Sequence, residues 1–307
     1  MIHRGIIIFI MIPLLTYAQY QRPGSTDAQF LKIGVSPRGT AMGDAYISVV
    51  EGAEATYYNA AELPWIKGTD IVFNHNFWFA GINHDFVAAT HSFEELGTFG
   101  LSVTALYTDE MKVRTPLQPD GTGETFYAGN YRFGLSYARF FTDRVTIGAT
   151  ISYINLSLYK DFKADAVSVD IATMYTSDFR GFKFAMAITN FGSNVKFVNE
   201  SYPLPTAFTF GASINAIENE NQKVILSFSA LKPNDGKPLS QVGIEWNFHN
   251  QFFARGGYKI NYDVATFTFG GGVKFSISNI NTRFDYSYSS FGLLGVAHRI
   301  GIGINLE

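Results

Sequence analysis

Val264 to Ser289 reads V-A-T-F-T-F-G-G-G-V-K-F-S-I-S-N-I-N-T-R-F-D-Y-S-Y-S. Every second residue of its first half, Phe267, Phe269, Val273, Phe275 and Ile277, is apolar. The alternate set is Thr266, Thr268, Gly270, Gly272, Lys274 and Ser276. After a short turn at Ser278-Asn279 the pattern resumes, with Ile280, Phe284, Tyr286 and Tyr288 against Asn281, Arg283, Asp285 and Ser287. Strict period two predicts strands, because successive side chains point to opposite faces. The strands are about eleven or twelve residues long, where globular proteins favour about five or six. One face is greasy and aromatic, the other small, polar and charged, as in a strand with lipid outside and water inside. A soluble sandwich also alternates, but strands this long, in such number, are unusual there.

The rest of the chain extends the pattern. Of its 307 residues 16% are aromatic and 16% charged, against an average near 25% charged. No apolar run approaches the roughly 20 residues of a spanning helix. The net charge of -3 gives no reason to invoke nucleic acid. The absence of cysteine excludes a disulfide framework and cysteine-based metal or nucleophile chemistry. Met1 to Arg4 forms a basic n-region and Ile6 to Leu15 an apolar core. Thr16-Tyr17-Ala18 then offers a cleavage site before Gln19. The sequence thus predicts three parts: a signal peptide at 1–18, a small-residue-rich hatch or plug at 19–67, and a barrel at 68–307.

Runs and breaks predict an all-β, transmembrane antiparallel barrel of about fourteen strands. They fall at 69–79, 82–92, 97–108, 128–141, 143–159, 164–177, 181–191, 205–217, 222–232, 239–248, 251–261, 264–277, 279–289 and 294–306. The 82–92 stretch leaves its face open, since neither side is cleanly apolar. A Lys or Arg facing lipid near the midplane costs roughly 2–4 kcal/mol. Several such residues together would exceed a typical domain's stability of about 5–15 kcal/mol. Lys183, Arg255, Lys259, Lys274 and Arg283 therefore face inward. The lumen face so defined also carries Arg132 and Arg299, against Asp170, Glu245 and Asp285. This basic excess attracts an acidic ligand or an acidic plug edge, or is met by mutual pairing and water.

Short connections fall at Thr142-Asp143, Asp178–Arg180, Phe248–Asn250 and Ser278-Asn279. The longer breaks, Asp109–Tyr127, Gly192–Leu204, Lys232–Pro238 and Ser290–Leu293, all lie at the opposite end. Outer-membrane barrels keep short turns on the periplasmic side and long loops outside. The largest loop offers Met111, Val113 and Leu117 as external contact candidates. A barrel this wide is not filled by its own side chains, and the N-terminal segment is the natural plug. Trp65, Trp78 and Trp246 near strand ends fit an interfacial girdle. His75, His84, His91, His249 and His298 have no metal-ligand spacing, and no nucleophile–base pair stands out. No catalytic residue, cofactor or metal site is assigned. Gly270-Gly271-Gly272 lacks the context of a phosphate loop and marks a bend or the close approach of the plug.

Phe30-Leu31-Lys32-Ile33-Gly34-Val35-Ser36-Pro37-Arg38-Gly39-Thr40-Ala41-Met42-Gly43-Asp44-Ala45 resembles the opening of PorV/PorQ proteins, as does Ala55-Thr56-Tyr57-Tyr58-Asn59-Ala60-Ala61-Glu62-Leu63. Ala254 to Lys259, Phe284 to Tyr288 and His298-Arg299-Ile300 are similar too. These proteins are FadL-like barrels of fourteen strands, so the resemblance implies an N-terminal hatch, with Arg38, Gly39, Met42, Gly43, Asp44, Tyr58 and Asn59 as its candidate residues. The chain departs from the family at Tyr58 to Glu62, where W-N-P-A-G is usual, and ends in Leu306-Glu307 instead of an aromatic residue.

The resemblance implies a non-enzymatic outer-membrane component of type IX protein secretion in a Gram-negative bacterium. Its external loops and rim would meet the translocon or the C-terminal domains of cargo, and its outer face lipid. The alternative is a FadL-like transporter for small hydrophobic molecules, with Phe30–Leu63 as a movable hatch and an apolar pocket between hatch and wall.

Overall fold

The computed structural model describes residues 22–160 and 162–306. The expected signal peptide, together with 19–21, Asp161 and Glu307, lies outside them. Fourteen antiparallel strands close into one barrel. They are β1 Thr69–Phe77, β2 Ile82–Phe93, β3 Gly97–Thr108, β4 Gly129–Thr142, β5 Val145–Tyr159, β6 Phe162–Thr176 and β7 Lys183–Gly192. The second half comprises β8 Ala207–Glu218, β9 Gln222–Pro233, β10 Leu239–Phe248, β11 Phe252–Ile260, β12 Phe267–Ile277, β13 Ile280–Ser290 and β14 Val296–Leu306. Each strand pairs with its sequence neighbours, and β1 closes on β14 with Phe73 opposite Ile302. Closure leaves no unpaired sheet edge, as a hydrocarbon environment requires.

Every strand puts at least one large apolar side chain on the outside: Phe73, Val87, Leu101, Leu135, Ile151, Ile171, Ile188, Phe210, Phe228, Ile244, Tyr258, Phe269, Phe284 and Ile300. In water a belt of this extent would far exceed the apolar patches of soluble proteins; against lipid it is the stabilising surface. The opposite parity is small and polar: Ser102, Ser136, Thr150, Ser168, Ser227, Thr268 and Ser287 are all buried inside.

The sequence left the facing of β2 open, and its inner face explains why. Phe86 and Ala88 point inward beside Thr90 and pack on the plug with Val35 and Val72. Similarly, Ile154 and Leu156 of β5 face inward, against Phe30 and Leu31. Trp78 corrects a second expectation. It shares the parity of Asn74 and Asn76, both buried inside, so it turns toward the lumen rather than into a girdle. Trp65 and Trp246 do project outward. β1 accordingly stops at Phe77, short of the expected 79.

Most of the segment 22–67 lies within the barrel, with its two ends exposed. Ser36 caps α1, Pro37–Ala41: the Gly39 N–H donates to Ser36 Oγ, and Pro37 opens the helix, where its missing N–H costs nothing. A second short helix, α2, spans Ala55–Tyr58. Asn59 then accepts from the Ala61 N–H and donates to the Ile47 carbonyl, capping a 3-10 turn over Ala60–Trp65. Small residues let backbone meet backbone. Gly43 has a left-handed φ of 68°, and a Cβ on Gly257 of β11 would lie 2.0 Å from the Gly43 nitrogen. Glycine is required at that contact. At Gly270, the expected approach of the plug is visible in the Ala41 methyl, which a Cβ would meet at 2.6 Å.

Candidate functional site

The lumen divides into two regions. At the end carrying the short turns, the plug is joined to the wall by a chain of alternating charges. Arg38 donates from Nε and Nη2 to Glu245 of β10, both at 2.8 Å, and from Nη1 to Glu51 at 2.7 Å. Glu245 also accepts from Arg255 Nε at 2.5 Å, and Arg255 Nη1 donates to Asp285 at 2.5 Å. Arg283 pairs with Asp285 at 2.6 Å and reaches Glu54 at 3.7 Å. Glu54, buried in the plug, accepts from Ser36 Oγ and the Tyr46 hydroxyl, each at 2.7 Å, and from Asn74 at 2.8 Å.

Three members of this chain belong to the plug and four to the wall; the wall four cancel, and the plug three, Arg38, Glu51 and Glu54, carry one net negative charge. Glu51 keeps a wetted surface; withdrawal from bulk water pushes its carboxyl up, but Arg38 pulls it down to about 2. Glu62 behaves oppositely. Burial raises its carboxyl to about 7 against the pull of Lys183, which donates to it at 3.1 Å.

At the loop end the plug stops short, leaving a cavity of about 800 Å³. Its floor is Ile33, Gly34, Asp44, Ile47, Tyr57 and Tyr58. The floor is stiffened by aromatic contacts: Tyr58 meets Tyr46 edge-on at 5.0 Å and Tyr57 at 5.2 Å. Tyr57 donates to the Leu31 and Ile33 carbonyls, and the Tyr58 hydroxyl accepts from the Ser36 N–H. Leu231, Leu239, Pro205 and Ala207 give the wall its apolar side, and Trp78 and Phe291 stand in contact at 4.9 Å. Across the mouth, Asp235 accepts from Lys32, Thr26 and Gln29, tethering the first part of the plug. Burial raises that carboxyl, but Lys32 and the Thr26 hydroxyl outweigh it and hold it below the usual range. The cavity matches the size of sites for small organic molecules, and its lining combines these apolar side chains with nine charged ones.

The expected site residues are distributed over both regions. Arg38, Gly39 and Met42 are buried in the plug; the Gly39 position has no room for a Cβ beside the Tyr46 ring, 2.7 Å away. Asp44 pairs with Lys259 and opens on the cavity. Asp170 pairs with Arg132 at 2.6 Å and accepts the Asn190 N–H at 2.6 Å. Lys274 stands half-buried on the lumen side of β12, near its turn end. Met111 and Val113 belong to a small ribbon in which Met111-Lys112 pairs with Thr125-Phe126; Leu117 projects at its tip, 93% exposed. Among the described residues no group of three metal-ligating side chains exists. The sequence did not single out Asp235, Trp78 as a cavity residue, or Phe291. A period-two reading ends where strands end, and these act at or beyond strand ends.

No family model and no curated protein matches the chain. Solved structures do. The chain is similar to the toluene transporter TbuX of Ralstonia pickettii, at 14% identity over 89% of this chain and 99% of that one, with a TM-score of 0.57. The toluene transporter TodX of Pseudomonas putida aligns at 11% identity over 88% and 96%, TM-score 0.56. A FadL homologue of Pseudomonas aeruginosa aligns at 10% over 89% and 98%, TM-score 0.55. Identities this low establish the fold, a FadL-like barrel. The narrower PorV/PorQ resemblance and a place in type IX secretion gain no support from these likenesses.

Proposed function

We propose that this chain is an outer-membrane transporter for small, mainly apolar molecules, with its loop end outside and residues 19–67 serving as the hatch. The order of the two readings drawn from the sequence is thereby reversed. The cavity carries this conclusion: about 800 Å³ of space, walled by the barrel and floored by the plug, at the mouth of a FadL-like fold. The named transporters of similar fold favour the same class of cargo. The secretion reading came from the PorV/PorQ resemblance, with the loop around Leu117 as its leading contact candidate, and that loop is folded on itself with one apolar side chain at its tip. A signal peptide at 1–18 belongs to the same proposal, since a barrel of this kind must be exported.

The residues divide the work. The outer belt holds the barrel in lipid, the mouth admits cargo to the cavity, and the hatch stands between cavity and turn end. No step needs a reacting group. The test is binding of the neutral fluorophore N-phenyl-1-naphthylamine to the detergent-purified chain, with toluene as competitor. Saturable binding displaced by toluene is expected. Replacing the floor residue Ile33 by Asp should weaken it, since a carboxylate then faces the apolar probe. Absence of saturable binding in the native chain overturns the assignment.

A further inference from the structure

The charges lining the cavity do not balance. Four cations each have a carboxylate partner among the lining residues: Lys32 with Asp235, Arg132 with Asp170, Lys237 with Asp263, and Lys259 with Asp44. The fifth, Arg299 of β14, has no carboxylate within ion-pair distance among the described residues. It is nevertheless only 3% exposed. Its Nη1 donates to Ser289 Oγ at 3.2 Å, its Nε has no partner, and its guanidinium carbon stands 5.3 Å from the Trp78 ring centre.

The deficit continues along the wall. Arg299 is directly opposite Asn76 of β1, and Asn76 is opposite His84 of β2. All three are buried on the lumen side. Both amide atoms of Asn76 and both ring nitrogens of His84 lack a hydrogen-bond partner within the protein. Buried polar groups are ordinarily satisfied, and a buried cation without a counter-ion is the costliest exception. A row with so many open valences at the edge of a cavity is incomplete as protein alone. Beside it, Trp78, Phe79 and Phe291 form an aromatic shelf, with ring centres 4.8 to 5.4 Å apart.

We propose that this corner of the cavity binds a small aromatic carboxylic acid as its anion, the carboxylate facing Arg299 and the ring lying against Trp78 and Phe291. The proposal rests on the transporter reading and narrows it from apolar molecules in general to amphipathic monoanions. One unmatched positive charge calls for one negative charge. A guanidinium offers a carboxylate two parallel N–H donors, which a neutral hydrocarbon cannot use. Asp44 faces the same space but is engaged by Lys259, so a bound carboxylate completes the tally instead of displacing an existing pair. Asn76 and His84 add polar capacity behind the guanidinium, filled directly or through ordered water.

The test compares benzoate with benzamide, a neutral molecule of nearly the same shape, by calorimetry on the full purified chain at neutral pH. Benzoate should bind about tenfold more tightly or better, the scale of a charge-assisted hydrogen-bonded pair. Arg299→Gln should erase that preference while benzamide and toluene still bind, and Arg299→Lys should keep part of it. Equal binding of the two compounds to the native chain overturns the proposal, as does a preference that survives in Arg299→Gln. Because the first comparison uses the native chain, a misfolded variant does not rescue the idea. If toluene and benzamide bind without a benzoate advantage, the acid site alone falls. If toluene, benzamide and benzoate all fail to bind, the transporter reading falls with it.

Discussion

At the turn end of the lumen, Arg38, Glu245, Arg255, Asp285 and Arg283 alternate in sign between plug and wall, each charge facing its opposite. At the loop end the same fourteen strands surround a cavity in which Arg299 is buried without a carboxylate. One region pairs each of these arginines with a carboxylate of the protein, and the other leaves one arginine without such a pair. Burying charge is tolerable only where geometry and partners compensate it, so the first region reads as a lock and the second as a receiving site. The difference follows from where the plug reaches: Glu51, Glu54 and Glu62 bring acid to the turn end, whereas Arg299 faces the space above the hatch.

The sharpest way to break this contrast is Glu245→Ala, which leaves Arg38 and Arg255 without their shared partner. Removing one member of a buried pair costs about 3–5 kcal/mol. The expected result is a large drop in thermal stability together with increased ion conductance in planar bilayers, as the plug loosens. Conductance like that of the native chain would show that the lock does not hold the hatch.

A smaller effect is expected from Gly257→Ala. The new methyl would fall 2.0 Å from the Gly43 nitrogen, and overpacking of this kind costs about 1–3 kcal/mol. Faster hydrogen exchange over residues 38–46 should accompany the loss, with the barrel strands still protected.

The smallest concerns pH. The Glu62 carboxyl is raised from 4.5 to about 7, so the folded chain holds its proton more tightly than the unfolded one. Its contribution is full below about pH 4.5 and is lost as pH rises to about 7. Glu62→Gln should therefore flatten that part of the stability profile, measured by melting between pH 4 and 8. An unchanged slope would remove Glu62 from the account.

Much of this molecule was legible before folding. Phe267, Phe269, Phe275 and Ile277 against Thr268 and Lys274 declare an outside and an inside because the pleat has period two. Fourteen such stretches followed from the same rule, and β1 meeting β14 closes them. The rule failed where an inner position touches the plug instead of water. Phe86, Ile154 and Leu156 are apolar on the lumen side because Val35, Phe30 and Leu31 pack nearby. Trp78 was misplaced for a related reason: nearness to a strand end suggested a girdle, while its parity turned it inward.

Alternation along each strand, aromatic load and turn lengths are local properties, and the chain alone determined the barrel, the inward charges and the resemblance to hatch-bearing proteins. Which charges find partners is not local. Arg38 and Glu245 are far apart in sequence and adjacent in space, and Arg299 and Arg255 are both arginines at inward positions of alternating strands. Only strand register and the reach of the plug, which set Glu245 directly across from Arg255 and leave Arg299 facing an open cavity, separated a locked arginine from an unpaired one.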